Sequence, residues 1–302
     1  MNSALEISSE PSAMVAATTH AVHADALCDL PVTIIERRPG WRCIDVRELW
    51  RYRELLLLLA WRDVQVRYKQ TLLGAAWAVL QPVATMLVFC LFLGRVAAAP
   101  ADNVPYPLFV LAGLIPWTFF ANAVSSASQS VIGSQSLVTK VYFPRLLIPM
   151  GAIAANLIDC LVAFGLFLVM MLIYGVCPDW RFLLVFPIMV GVILASLGVG
   201  TLLAAWTVRY RDFRHVVPFM VQIWMFATPC IYLQTDAAVS PRWQALLPFN
   251  PVFGLILNFR QALLGKPLDT YALVISATIG LTVLLSGCYY FRRAERGFAD
   301  VI

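Results

Sequence analysis

Charged side chains are scarce in this 302-residue sequence: Asp, Glu, Lys and Arg make up 13% of it, whereas apolar residues make up 61%. Such a chain cannot cover a soluble globule with polar surface, so soluble enzymes and nucleic-acid-binding domains are excluded as classes. The net charge of +5 comes from basic residues beside long apolar runs, a pattern that sets membrane orientation rather than nucleic-acid binding. We predict an all-α integral membrane protein.

The sequence also lacks the motifs of common enzyme classes. It has no G-x-x-x-x-G-K-[ST] phosphate loop, and its Gly265-Lys266 pair is followed at once by Pro267. There is no G-x-S-x-G and no H-E-x-x-H, the seven cysteines show no C-x-x-C spacing, and three histidines complete no obvious metal site. We therefore predict a chain that is not an enzyme, binds no metal or cofactor of its own and does not hydrolyse ATP alone.

Six apolar runs are predicted to cross the bilayer, which takes about 20 residues, and the fifth of them is short for a span. They are 74–96, 106–127, 146–174, 182–207, 216–233 and 271–291. The loops that this arrangement places on one side carry most of the basic residues, which predicts that both termini are cytoplasmic. The apolar run 255–264 is too short to span, and we predict re-entrant or interfacial helices on the outer face between spans five and six.

Three regions are predicted along the chain. Residues 1–30 are rich in Ala and Ser and contain no Lys or Arg, which is typical of a flexible cytoplasmic tail. Residues 31–70 form a cytoplasmic or interfacial segment. Within it, apolar residues recur at helical spacing over 46–68, which predicts an amphipathic helix. A helix of a soluble N-terminal domain is the alternative, because Arg53 and Asp63 interrupt its apolar stripe. Residues 71–302 form the six-span domain.

Two spans present aromatic and hydrogen-bonding side chains on a single face at helical spacing. In the first span they are Trp77, Gln81, Thr85, Phe89 and Phe92, and in the fifth they are Trp224, Thr228 and Tyr232. Sugars bind against aromatic faces with hydrogen bonds at the rim, so these faces are candidates for a glycan path. Ordinary packing and interfacial aromatic belts give the same pattern.

Several charged residues have two open interpretations. Arg62, Arg67 and Lys69 precede the first span, and they either fix orientation beside anionic lipids or bind a diphosphate at the inner leaflet as part of an inner gate. Asp159 lies deep in the third span beside Asn156, where it is either a hydrogen-bonded interhelical group or part of a proton pathway.

The segment 128–145 is too polar to span and is predicted to be a short inner helix ended by Pro144. Its end combines cations with aromatic rings: Lys140, Tyr142, Phe143 and Arg145. Such a segment is suited to docking in a groove of a cytoplasmic partner, and a plain connector is the alternative.

Four stretches together resemble a known family. They are the run 40–82, which ends in WRDVQVRYKQTLLGAAWAVLQP, then KVYFPR at 140–145, YRDFRH at 210–215 and NPVFGLILNFRQALLG at 250–265. They are similar to the permease subunits of ATP-binding-cassette exporters of O-antigen, capsule and teichoic acid, and most similar to lipopolysaccharide O-antigen permeases. The first thirty residues fall outside the resemblance.

The resemblance implies a homodimer in the bacterial inner membrane, bound to two copies of a separate nucleotide-binding subunit that uses ATP and Mg²⁺. It implies a coupling helix around 134–145, an aromatic-lined path and a polysaccharide carried on an undecaprenyl-type diphosphate lipid. An exporter of teichoic acid, drugs or lipids is an alternative. A membrane glycosyltransferase is a further one, for which Asp63 and Asp212 are the candidate acids.

Overall fold

The computed structural model describes residues 46–69, 74, 76–93, 104–228, 246–295 and 297–298. These residues belong to a compact unit that covers 43–302. Every regular element among them is helical. The predictions for the tail 1–30 and for 31–45 lie outside the described residues.

The α-helices are, in chain order, α1 (Val46–Arg51), α2 (Arg53–Tyr68), α3 (Ala76–Leu93), α4 (Tyr106–Gly133), α5 (Gln135–Lys140), α6 (Leu147–Tyr174), α7 (Val185–Arg209), α8 (Phe213–Ala227), α9 (Phe253–Leu263) and α10 (Thr270–Glu295). Two short 3₁₀ helices, Trp180–Leu184 and Leu247–Phe249, precede α7 and α9.

Four of the described helical segments are long and apolar enough to cross a membrane. They are α4, α6, α10 and the segment Trp180–Arg209, in which α7 continues the first 3₁₀ helix. They confirm an all-α integral membrane protein and coincide with the predicted second, third, fourth and sixth spans. Helix α3, with 18 residues, and α8, with 15 described residues, occupy the positions of the other two.

Helix α4 lies at the centre of the fold. It packs against α3, α6, α7, α8 and α9, and its side chains from Leu108 to Phe120 are almost all buried. A helix that neighbouring helices enclose around most of its circumference supplies the core of the fold. The hydrophobic core is therefore built around α4, and the neighbouring helices each cover part of it.

Helices α7, α9 and α10 approach one another at glycines. A Cβ on Gly287 of α10 would lie 2.4 Å from the carbonyl oxygen of Gly198 in α7, and a Cβ on Gly254 of α9 would lie 2.0 Å from the carbonyl oxygen of Ala272 in α10. The Gly254 N–H also donates to Ser276 Oγ over 2.9 Å. Small residues let helix backbones meet in this way inside a membrane.

Three predicted boundaries differ from the structure. Helix α4 ends at Gly133 rather than 127, because the hydroxyls of Ser128 and Ser130 donate to carbonyls of their own helix, so that the polar residues remain helical. The predicted helix 46–68 is divided at Tyr52. Helix α5 ends at Lys140, well before Pro144, since Val141 is already extended.

Helix α9 has the short length predicted for an element that does not span. Its eleven residues cover only about 16 Å at 1.5 Å per residue. Most of its side chains are buried against α4, α7 and α10, so the helix is enclosed by protein. Its depth in the membrane stays a prediction.

Candidate functional site

A cavity of about 390 Å³ lies between α2, α3, α4 and α6. Trp77, Gln81 and Thr85 of α3 line it, so three of the predicted path residues share one wall. Phe89, by contrast, packs at the edge of the core, and Phe92 is exposed away from the cavity. The helical spacing therefore correctly groups the residues of the first two turns, which share the cavity surface, but not the two phenylalanines beyond them.

A polar stripe on α4 forms another part of the cavity lining. Thr118, Asn122, Ser125 and Ser126 face the cavity and recur at i, i+4, i+7 and i+8, which is one face of a helix. The predicted path residues did not include them. The available signal was the recurrence of small polar residues at helical spacing in an otherwise apolar span.

An ion pair and its hydrogen bonds form the end of the cavity where α2 meets α6. Arg67 of α2 pairs with Asp159 of α6, and its second nitrogen donates to Asn156 Oδ1 over 3.1 Å. The Tyr68 hydroxyl donates to the other Asp159 oxygen. Asp159 is therefore a satisfied interhelical group, as one of its two interpretations required.

Tyr68 remains a donor at all physiological pH values. Burial, reinforced by the hydrogen bond to Asp159 and the negative charge of that carboxylate, raises the pKa of Tyr68 to about 12. A raised pKa favours the neutral phenol. The hydroxyl therefore keeps the proton that it donates to the carboxylate.

The other basic residues before the first span point elsewhere. Arg62 pairs with Asp63 over 2.8 Å and donates to Ser134 Oγ over 3.2 Å. Ser134 is the residue before α5, so Arg62 ties α2 to that short helix. Lys69 is exposed just after α2. The predicted basic cluster is thus divided, and of its three members only Arg67 lines the cavity.

The predicted face at the end of α8 forms hydrogen bonds to Asn250, which lies just before α9. Trp224 Nε1 donates to Asn250 Oδ1 over 3.1 Å, and Asn250 Nδ2 donates to Thr228 Oγ1 over 2.8 Å. The Trp224 ring also meets Phe120 edge-on at 5.2 Å. Neither Trp224 nor Thr228 lines the cavity, and Tyr232 lies outside the described residues.

Replacing Asn250 by alanine is expected to destabilise the protein by about 2 kcal/mol, because it removes bonds to Trp224, Thr228 and the Val252 N–H. Thermal unfolding in lipid nanodiscs measures the change. Thr278→Ala is the control, since that exposed hydroxyl bonds only within its own helix. Equal unfolding temperatures for the two variants would contradict the assignment.

The predicted docking residues at and beyond the end of α5 fall into two pairs. Tyr142 is 75% exposed and Lys140 is exposed. Phe143 is only 6% exposed and packs in a core cluster with Leu147 and Phe291, while Arg145 Nη1 donates to the Glu295 carbonyl over 2.6 Å. Lys140 and Tyr142 are thus free to meet a partner, whereas Phe143 and Arg145 anchor the segment.

Comparison with known proteins places this geometry in a family. Residues 54–264 match the family model described as ABC-2 type transporter. The chain is 33% identical over 261 residues to the O-antigen export system permease protein RfbA of Myxococcus xanthus, covering 85% of this chain and 98% of that protein. It is 23% identical over 250 residues to RfbA of Klebsiella pneumoniae, covering 82% and 95%.

A second group of relatives carries a different name. The chain is 26% identical over 240 residues to the polysialic acid transport protein KpsM of Escherichia coli, covering 78% of this chain and 91% of that protein. The family match includes every described residue that lines the cavity. The chain belongs to the ABC-2 type transporter family, as a permease subunit.

Proposed function

We propose that this chain is the membrane subunit of an ATP-driven exporter that moves a lipid-linked polysaccharide of the O-antigen type outward across the bacterial inner membrane. Its family and the names of its relatives support this assignment. The observation that carries it is the cavity, which is lined by Trp77 of α3 and by polar side chains of α4. Aromatic faces ringed by hydrogen-bonding groups suit sugars.

The proposed assembly is a homodimer bound to two copies of a nucleotide-binding subunit that holds ATP and Mg²⁺. Each permease subunit crosses the membrane six times with both termini in the cytoplasm, and α3 and α8 supply the first and fifth spans. Helix α2 lies at the inner interface, and α9 is a re-entrant element of the outer face. Residues 1–30 form a cytoplasmic tail, 31–70 an interfacial segment and 71–302 the six-span domain.

A lipid diphosphate would meet the exposed Lys69 near the inner surface. Arg62 and Arg67 are less suited to that role, because Asp63 and Asp159 already neutralise their charges. The sugar chain would then pass the face formed by Trp77, Gln81 and Thr85. Many weak and similar contacts allow a polymer to advance, whereas a single tight pocket would stall it.

Trp77→Ala is expected to lower surface polysaccharide by about tenfold, the equivalent of losing roughly 1.4 kcal/mol of aromatic contact. The variant is expressed in a host that lacks the chromosomal gene, and surface polymer is quantified by immunoblot. Trp180→Ala is the matched control, because Trp180 is also exposed but does not line the cavity.

Undiminished export by Trp77→Ala would remove Trp77 from the path. If deleting the gene left surface polysaccharide intact and instead sensitised the cells to drugs, the proposed cargo itself would be wrong.

A further inference from the structure

The cavity holds a balanced pair of charges. Arg67 and Asp159 are the two charged residues among its described lining, and they pair with each other. Arg67 is held by a second acceptor, Asn156, and Asp159 by a second donor, Tyr68. An incoming anion would have to separate Arg67 from both acceptors and would itself lie beside the Asp159 carboxylate. The described lining therefore carries no net charge and opposes the entry of a negative group.

The rest of the lining is rich in groups that both donate and accept hydrogen bonds. Gln81 and Asn122 provide carboxamides, and Thr85, Ser125 and Ser126 provide hydroxyls. Sugar hydroxyls are likewise donors and acceptors, so they match this set without needing a charge. The side chain of Trp77 offers the aromatic face against which a sugar ring stacks. The volume lies within the range of about 300 to 1,000 Å³ that is usual for small-ligand sites.

We propose that this cavity is a binding site for an uncharged sugar unit, and that the absence of net charge in its lining, where Asp159 balances Arg67, makes it select against acidic sugars. The proposal rests on the function proposed above and names the class of polysaccharide that the exporter accepts. It predicts that the charge of the cavity, and not only its shape, sets that class.

The test uses the complete complex of this chain with its nucleotide-binding subunit in lipid nanodiscs. Maltohexaose is the neutral probe and hexagalacturonate the acidic one, and isothermal titration calorimetry gives both dissociation constants. The wild type is expected to bind maltohexaose at least tenfold more tightly. Asp159→Asn leaves the Arg67 charge unbalanced, and it is expected to strengthen hexagalacturonate binding at least tenfold.

Two further variants separate charge from structure. Arg67→Gln combined with Asp159→Asn removes both charges and is expected to restore the preference for maltohexaose, even though the ion pair is gone. Asp179→Asn is the matched control, because Asp179 also lies beside an arginine, Arg181, at 3.9 Å, but it does not line the cavity. This control is expected to keep the wild-type ratio.

The proposal is overturned if the wild type binds both probes equally or binds neither. It is also overturned if Asp159→Asn, folded as judged by thermal unfolding, keeps the wild-type ratio. Polymer export by the wild-type gene in cells is measured in parallel. Normal export with an unchanged ratio in Asp159→Asn would reject the charge selection alone, whereas absent export would reject the proposed function.

Discussion

Gly254→Ala is expected to lower the yield of folded protein severely. The new Cβ would lie 2.0 Å from the Ala272 carbonyl oxygen and 2.4 Å from its carbonyl carbon, far inside van der Waals contact. Backbone atoms cannot rotate away as a side chain can, so α9 and α10 would have to separate, and Gly254 would lose its bond to Ser276. We expect a loss of about 3 kcal/mol or more. The yield of monodisperse protein in fluorescence-detected gel filtration measures it.

Gly165→Ala is the matched control for this prediction. Gly165 lies within the membrane-spanning α6, and a Cβ there would meet nothing within 4 Å. Alanine is also the better helix former by about 1 kcal/mol. This variant is expected to match or exceed the wild-type yield. A Gly254→Ala yield equal to that of the control would show that the close contact between α9 and α10 contributes little.

Tyr142→Asp is expected to release the nucleotide-binding subunit during purification. Tyr142 is 75% exposed and follows Val141, which is 56% exposed. The two side chains therefore form an exposed apolar patch just after α5. If this patch docks into the partner, burying an aspartate there costs several kcal/mol of binding free energy and weakens binding more than tenfold. Co-purification on a tagged permease subunit measures the loss. Lys140→Glu, which changes an exposed neighbour, is expected to weaken binding to a smaller extent.

Tyr174→Asp, at the C-terminal end of α6, makes the same change at another exposed tyrosine and is expected to retain the partner. If Tyr142→Asp also retained the partner, the segment around Tyr142 would not be part of the docking interface. Charge reversal at Arg145 is a poorer test, because Arg145 bonds to Glu295 and its loss would disturb the fold.

The long apolar runs made four spans predictable, since the cost of placing polar groups in hydrocarbon is read directly from a linear sequence. The spacing of Trp77, Gln81 and Thr85 likewise predicted a shared face, because helical periodicity is local. Both properties depend on residues close in sequence. That is why the predicted core of each of these four spans agrees with the structure.

Which residues pair with each other across the fold was not predictable from the sequence. The Arg67–Asp159 pair joins residues 92 apart, and no local pattern shows which of the basic residues near the first span will reach α6. Trp224 and Thr228 also share a face with aromatic and polar character, yet Asn250, 22 to 26 residues later, holds both. The same pattern of residues therefore lines a cavity when it occurs on α3, whereas on α8 it binds the segment that precedes α9.

The glycine contacts of α7, α9 and α10 determine which parts of the protein can move. Sliding α10 along α7 would drive a side chain into the Gly198 carbonyl, and shifting α9 along α10 would drive one into the Ala272 carbonyl, which a Cβ on Gly254 would already meet at 2.0 Å. Shear motions need interfaces that can repack, and backbone contacts cannot. We therefore expect these three helices to keep their packing against one another during a transport cycle.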